Sequence, residues 1–144
     1  MNIEMKEQID TAFERLIAEM PLQKISVTTI CNAAEIGRND FYKVYKDIND
    51  CVKSFCARTE EQIAAQPHTD GEFTWVFDYI KENADTFRIY FKLAGYYSAD
   101  DYQATFFANG VRAVAQTWLE NGFIEPPEQM NRIVAKEYRR IMGE

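Results

Sequence analysis

Several residue types that define common classes of site are scarce in this chain of 144 residues. It contains 1 histidine, 3 cysteines, 6 glycines and 4 prolines. The single histidine, His68, supports neither a histidine-based metal site nor a histidine-dependent catalytic triad. No apolar run approaches the roughly 18 residues that a membrane-spanning helix needs, and residues 1–20 form an acidic amphipathic segment rather than a signal sequence. We therefore expect a cytoplasmic protein without a metal ion or a membrane partner.

The cysteines and carboxylates also lack the spacing of a reactive site. Cys31, Cys51 and Cys56 are odd in number and show no zinc-binding pattern, so we expect reduced, mostly buried thiols. A redox sensor is the alternative, but Lys53 and Arg58 each follow a cysteine by two residues and fall on other faces of a helix. Carboxylates are plentiful but scattered, without a glycine-rich phosphate loop or a nucleophile motif. We expect neither an enzyme nor a cofactor.

Positive charge is also in short supply. The net charge is −7, which argues against a general nucleic-acid binder. One stretch differs, because residues 24–46 hold four basic side chains against two acidic ones, Glu35 and Asp40. Any cationic surface is therefore local.

Apolar side chains at helical spacing are abundant. The 47% hydrophobic content is ample for a core, and no run alternates strictly between polar and apolar residues over more than a few positions. We therefore predict an all-α chain. Turn residues gather at 66–71, and Ser98 and Gly122 are placed to cap and end a long helix. The predicted helices outside residues 25–45 cover 3–20, 48–65, 72–83, 85–93, 99–121 and a last segment that starts at Pro126 and Pro127.

Residues 25–45 predict two short helices joined by a tight turn. Ser26 can cap the first helix, and Ile25 and Ile30 are spaced as a hydrophobic staple across the cap. The turn falls at 35–37. In the second helix Phe41, Tyr42 and Tyr45 place aromatic bulk at helical spacing, and the residues expected to face outward are Arg38, Asn39, Asp40 and Lys43. This arrangement is a helix-turn-helix.

Residues 25–52 resemble the signature of the tetracycline-repressor (TetR) family of bacterial transcriptional regulators. The resemblance lies in the capped helix, the alanine-led turn and the segment Phe41-Tyr42-Lys43-Val44-Tyr45-Lys46. It implies a helix-turn-helix DNA-binding domain at 1–47 and a helical ligand-binding and dimerisation domain at 48–144, with helix 48–65 linking the two. Residues 106–128 are similar to the carboxy-terminal domain of one subgroup of the family.

The resemblance also implies a function. It suggests a homodimer that binds a double-stranded DNA operator, as a repressor that a small-molecule effector releases. Three residues depart from the family pattern: Glu35 replaces a turn glycine, Gly37 a capping serine or asparagine, and Asp40 a small residue. The implied DNA-binding residues are Thr28, Arg38, Asn39, Asp40, Tyr42, Lys43 and Lys46.

An aromatic cluster in the second half of the chain predicts a pocket for a small apolar or aromatic effector. Core packing is the alternative, because aromatic residues dominate cores in any case. The residues proposed for the pocket are Phe77, Ile80, Phe87, Phe91, Tyr97, Tyr102 and Phe106.

Apolar stripes on the last two helices predict a contact with a second copy of the chain. The last helix is amphipathic enough to suggest a membrane surface, but its regular stripe fits a helix-helix contact better. The alternative function is a helical dimer that acts through protein contacts and has weakened or lost operator binding. The residues proposed for the dimer interface are Phe107, Gly110, Val111, Val114, Trp118, Met130, Ile133, Val134, Tyr138 and Ile141.

Overall fold

A computed structural model of the chain describes residues 3–69, 71–95 and 100–143. Helices and a single 3₁₀ turn at Leu22–Lys24 account for its regular structure, and these residues contain no strand. The predicted all-α fold class is therefore confirmed. The helices are α1 (Ile3–Glu19), α2 (Val27–Ala34), α3 (Arg38–Val44), α4 (Ile48–Ala64), α5 (Thr74–Glu82), α6 (Ala84–Leu93), α7 (Tyr102–Glu120) and α8 (Pro127–Ile141).

The chain divides into two compact units, Met1–Glu60 and Glu61–Glu144. The division falls inside α4, the helix that the sequence assigns as the link between two domains. The assignment of residues 1–47 and 48–144 to separate functions stays a prediction. None of the helices in the described ranges is both long enough and apolar enough to cross a membrane.

The first unit is built around the apolar face of α1. Ile9, Phe13 and Ile17 are buried on that face, as the periodicity predicts. The face packs on α2 and α3, whose Ile30 and Phe41 are fully buried. Burying a side chain of this size contributes roughly 1.5–3 kcal/mol, so these residues fix how α2 and α3 lie against α1.

Local signals in the sequence set where α2 begins. Ser26 Oγ accepts a hydrogen bond from Thr29 N at 3.0 Å, and Ser26 N donates to Thr29 Oγ1 at 3.4 Å. This reciprocal pair is a capping box. Ile25 and Ile30, on either side of the cap, are both buried. The predicted cap is confirmed.

Three further helix ends follow the same logic. Asp47 Oδ1 accepts from Asp50 N at 3.0 Å at the start of α4, as expected of a cap. Pro127 is the first residue of α8, where its missing N–H costs nothing. Gly122 follows α7 with φ of 82°, a left-handed conformation that glycine adopts without steric cost.

The start of α7 differs from the prediction. The helix begins at Tyr102 rather than residue 99, and Asp101 is its N-cap, accepting from Gln103 N at 2.9 Å. The predicted cap, Ser98, lies outside the described residues. Serine and aspartate are about equally good caps, so local preference could not choose between them.

The second unit packs α5, α6, α7 and α8 around Trp118. This side chain is 1% exposed and meets Phe77 edge to face at 5.3 Å between ring centroids. Its indole N–H donates to Glu125 O at 2.8 Å, which satisfies the one polar group it buries. Phe87 and Val134 extend the same core from α6 and α8.

Candidate functional site

The turn between α2 and α3 sets the direction of α3. Glu35 ends α2 in the left-handed conformation, with φ of 58° and ψ of 44°. Ile36 N donates to Cys31 O at 3.0 Å, the long hydrogen bond of a Schellman ending. Gly37 then takes an extended conformation, with φ of −83°, that any residue can adopt. Glu35 is therefore the strained departure from the family pattern, whereas Gly37 is not strained.

Glu35→Gly is expected to raise the free energy of unfolding by about 1 kcal/mol. A side chain in the left-handed region costs roughly 1–2 kcal/mol, and the greater freedom of glycine in the unfolded chain offsets part of the gain. Urea denaturation followed by circular dichroism measures the change. Asn32→Gly is the control, because Asn32 lies on the exposed side of α2 and should lose about 0.5–1 kcal/mol. A loss of stability in both variants would contradict the assignment of strain to Glu35.

Helix α3 presents a polar surface to solvent. Every residue assigned to DNA contact is exposed except Asp40, which is half-buried. Thr28 is also exposed, in the first turn of α2, and Lys46 is exposed just after α3 ends. The exposed members of the predicted set are Thr28, Arg38, Asn39, Tyr42, Lys43 and Lys46.

Two pairs of side chains on this surface contact each other. Arg38 Nη2 donates to Tyr42 Oη at 3.2 Å, one helical turn away, and this hydrogen bond raises the pKa of Arg38 above its ordinary value. Lys43 Nζ lies 3.4 Å from Asp40 Oδ1. Asp40 therefore has two roles that the sequence did not show: it offsets the charge of Lys43, and its negative charge lies in the first turn, where the helix dipole favours it.

A buried charge cluster holds the end of α3 in place. Tyr45, the residue after α3, donates its hydroxyl to Asp10 Oδ1 and lies 3.1 Å from Ser54 Oγ. Asp10 Oδ2 is 2.8 Å from Lys6 Nζ and 3.2 Å from Arg58 Nη1. Burial raises the pKa of Tyr45, so the hydroxyl stays protonated and continues to donate. The cluster joins α1 and α4 to the end of α3.

The cysteines lie in the environment expected of inert thiols. Cys31 and Cys51 are buried and Cys56 is half-buried, and none forms a disulfide. Burial raises the pKa of all three thiols, that of Cys51 to about 12. Thiolate is the reactive form, so these residues have little of it at neutral pH.

The second unit contains a cavity of about 160 Å³ among α5, α6, α7 and the end of α4. Its walls are mostly aromatic and aliphatic. Three of the residues predicted for a pocket line it: Ile80, Phe87 and Phe91. A cavity of this volume is large enough for one aromatic ring. The other lining residues are Ile63, Trp75, Val76, Tyr79, Tyr90, Ala108, Val111, Arg112 and Ala115.

Three further predicted pocket residues, Phe77, Tyr102 and Phe106, do not line this cavity. Phe77 is fully buried against Trp118, because it lies on the side of α5 that faces the core. Tyr102 and Phe106 are 91% and 74% exposed, since they lie on the outer side of the first turns of α7. Tyr97 lies outside the described residues.

Arg112, the one cationic residue among the described residues that line the cavity, was not among the residues predicted for the pocket. A signal for it existed. Arg112 follows Ala108 by four residues and precedes Ala115 by three, so helical periodicity places all three on one face of α7. A lone arginine among small residues on an inward face was the observation that could have identified it.

A groove of about 130 Å³ lies between α7 and α8. Ile133 is 47% exposed there, and Phe106, at 74%, lies at its edge. Of the residues predicted for a dimer interface, those that line this groove are Phe107, Gly110, Val111, Val114, Ile133, Val134 and Ile141.

The other residues predicted for the dimer interface are placed differently. Trp118 and Met130 are buried within the second unit. They therefore pack beneath the exposed surface of α7 and α8 and are not part of it. Tyr138 is half-buried and meets Phe107 edge to face at 5.3 Å between ring centroids. Val134, although it borders the groove, is only 3% exposed. Fewer residues are therefore exposed on the apolar stripe of α7 and α8 than were predicted for the dimer interface.

The chain matches no known family model and no curated protein significantly.

Proposed function

We propose that the protein is a homodimeric, ligand-responsive DNA-binding transcriptional regulator, most simply a repressor. The observation that carries the proposal is α3: a short helix after a tight turn, with Arg38, Asn39, Tyr42 and Lys43 exposed on it. A helix in this setting fits the major groove, and its polar side chains can reach base edges and phosphates. The resemblance of residues 25–52 to a repressor signature supports the same function.

In this proposal, α4 couples the ligand cavity to the DNA-binding helix α3. Near its end, Ile63 lines the cavity of the second unit. Earlier in the same helix, Ser54 and Arg58 belong to the cluster that holds Tyr45 at the end of α3. In this proposal an effector in the cavity displaces α4 and changes the spacing of the two α3 helices in the dimer, which lowers operator affinity. An effector acts this way only if it binds the two arrangements with different affinity.

A second function is favoured by a specific observation. Asp40 places a carboxylate on the proposed DNA surface, and the net charge is −7. Both oppose phosphate binding, so the same fold could serve as a dimer that acts through protein contacts. The pairing of Lys43 with Asp40 weakens the cationic surface further. The two functions differ in whether specific DNA binding occurs at low salt.

A pair of variants on α3 tests the proposal. Lys43→Ala should weaken binding to DNA from upstream of the protein's own gene and lower the slope of log affinity against log salt by about one unit for each protomer. Asp40→Ala should raise affinity or change sequence preference, because a carboxylate repels phosphate and accepts from the cytosine amino group. Fluorescence anisotropy over a range of salt concentrations measures both.

Glu61→Ala is the control for this pair, since Glu61 is exposed on α4 and outside the proposed surface. Binding that is the same in wild type, Lys43→Ala and Asp40→Ala would remove α3 from the interface. Absence of specific binding by the wild type at low salt would favour the dimer that acts through protein contacts.

A further inference from the structure

The cavity of the second unit is lined by a guanidinium group, one of whose donors has no partner among the described residues. Arg112 is half-buried on α7 and lines the cavity. Its Nη1 donates to Ala94 O at 2.7 Å, where α6 ends. Its Nε is buried, and within the part of the chain that the structure describes it has no hydrogen-bond partner. A buried donor that is left unpaired costs roughly 1–3 kcal/mol, so this arrangement is unfavourable until a partner is supplied.

Among the described residues, Arg112 has no ion-pair partner either. No carboxylate in the described ranges forms an ion pair with it, although five other ion pairs are formed there. The rest of the cavity wall is aromatic and aliphatic. Arginine in such a place is normally paired, because an isolated charge among apolar groups is poorly solvated.

The geometry of the guanidinium indicates what would pair with it. The bond from Nη1 to Ala94 O fixes one edge of the group. The other edge presents Nε–H and an Nη2–H side by side, the fork that binds a carboxylate through two parallel hydrogen bonds. Tyr79, Phe87 and Tyr90 line the same cavity with aromatic rings. Aromatic walls of this kind accommodate a flat apolar body.

We propose that the cavity binds a small aromatic carboxylate, whose ring lies among the aromatic side chains of α5 and α6 and whose carboxylate pairs with Arg112. The volume of about 160 Å³ limits the ligand to a single ring with a short acid group. The inference depends on the proposed function only for the effect of the ligand on DNA. Binding itself is a property of the second unit and is measured without DNA.

The test compares acids with neutral molecules of the same shape. The probes are benzoate and phenylacetate, each against its amide, at constant ionic strength with the full-length ¹⁵N-labelled protein. Amide chemical shifts give the dissociation constant, and the Nε–H signal of Arg112 reports the contact directly. We expect at least one acid to bind with a dissociation constant in the millimolar range or below, about tenfold or more tighter than its amide. Failure of both acids to bind, or equal binding of acid and amide, would overturn the proposal.

Variants assign the effect to the residue. Arg112→Gln should weaken binding of the acid by about tenfold or more and leave the amide nearly unchanged. Arg88→Gln is the matched control, because Arg88 is exposed on α6, pairs with Asp85 and does not line the cavity. If Arg112→Gln does not fold, the shift of the Arg112 Nε–H signal in the wild type decides the question. An acid that binds without moving that signal contradicts the proposal.

Failure here and failure of the proposed function are distinguishable. If the acid binds through Arg112 but the protein has no operator, the ligand site stands and the regulator proposal falls. If the operator is bound but neither acid occupies the cavity, the regulator proposal stands and the ligand class is wrong.

Discussion

Asp10→Ala should lower the free energy of unfolding by about 3 kcal/mol. The side chain is buried, accepts from Tyr45 and Lys6 and forms an ion pair with Arg58, so its removal leaves two cations and a hydroxyl without their common partner. Breaking a buried ion pair typically costs about 3–5 kcal/mol. The lower end applies here, because the Lys6 and Arg58 side chains are 28% and 36% exposed and water can solvate them in part.

Urea denaturation measures the loss, and a second variant tests its cause. Glu7→Ala removes a carboxylate from an exposed position on the same helix and should change stability by less than about 0.5 kcal/mol. Asp10→Asn keeps an oxygen that can accept from Tyr45 but loses the charge, so its effect should be intermediate. Equal stability of Asp10→Ala and Glu7→Ala would show that the cluster does not hold α1, α4 and the end of α3 together.

The second large effect is expected at the α7–α8 groove. Ile133→Asp should raise the dissociation constant of the homodimer at least about a hundredfold. The substitution occurs twice across a two-fold interface and places like charges in a contact that would otherwise bury apolar surface, which costs several kcal/mol. Sedimentation equilibrium measures the change, and circular dichroism shows whether the helices are retained. Operator affinity should fall with dimerisation, because one protomer contacts only half of a symmetric site.

The control for this variant is Ile124→Asp. Ile124 is 77% exposed between α7 and α8 and does not line the groove, so its substitution should leave the dimer intact. A wild-type protein that is monomeric at micromolar concentration would contradict the homodimer. A dimer that survives Ile133→Asp unchanged would place the interface elsewhere.

Helix ends were predictable wherever one residue had the chemistry of a cap. Ser26 and Gly122 occupy the positions predicted for them, because a side-chain acceptor or a glycine acts on the backbone within a few residues. The predicted start of α7 was wrong by three residues, because Ser98 and Asp101 are both good caps within one short stretch.

The lining of the cavity was predictable only in part, for a different reason. Periodicity places Phe77 and Ile80 on the apolar side of α5, but it does not say that Phe77 faces Trp118 and Ile80 faces the cavity. That difference depends on how α5, α6 and α7 pack. Contacts between residues far apart in sequence determine this packing, so the apolar pattern of a single helix does not predict it.

The three departures from the repressor pattern have separate physical consequences. Glu35 adopts the left-handed turn at a cost in strain, and Gly37 begins α3 without a side-chain cap. Neither prevents the turn from forming. Asp40 alone alters the proposed DNA surface, through its charge and its contact with Lys43. The geometry of the turn is therefore kept, and the one departure that affects the proposed DNA surface is the charge of Asp40.

The most direct test of the account is a hydroxyl-radical footprint of the protein on a 40-base-pair site selected from its upstream DNA. A homodimer that inserts α3 into successive major grooves should protect two symmetry-related segments, centred about 10 base pairs apart or a multiple of that distance. Protection should weaken with Lys43→Ala, be lost with Ile133→Asp and be retained with Ile124→Asp. A uniform or absent footprint at low salt would contradict the claim that this protein reads DNA through α3.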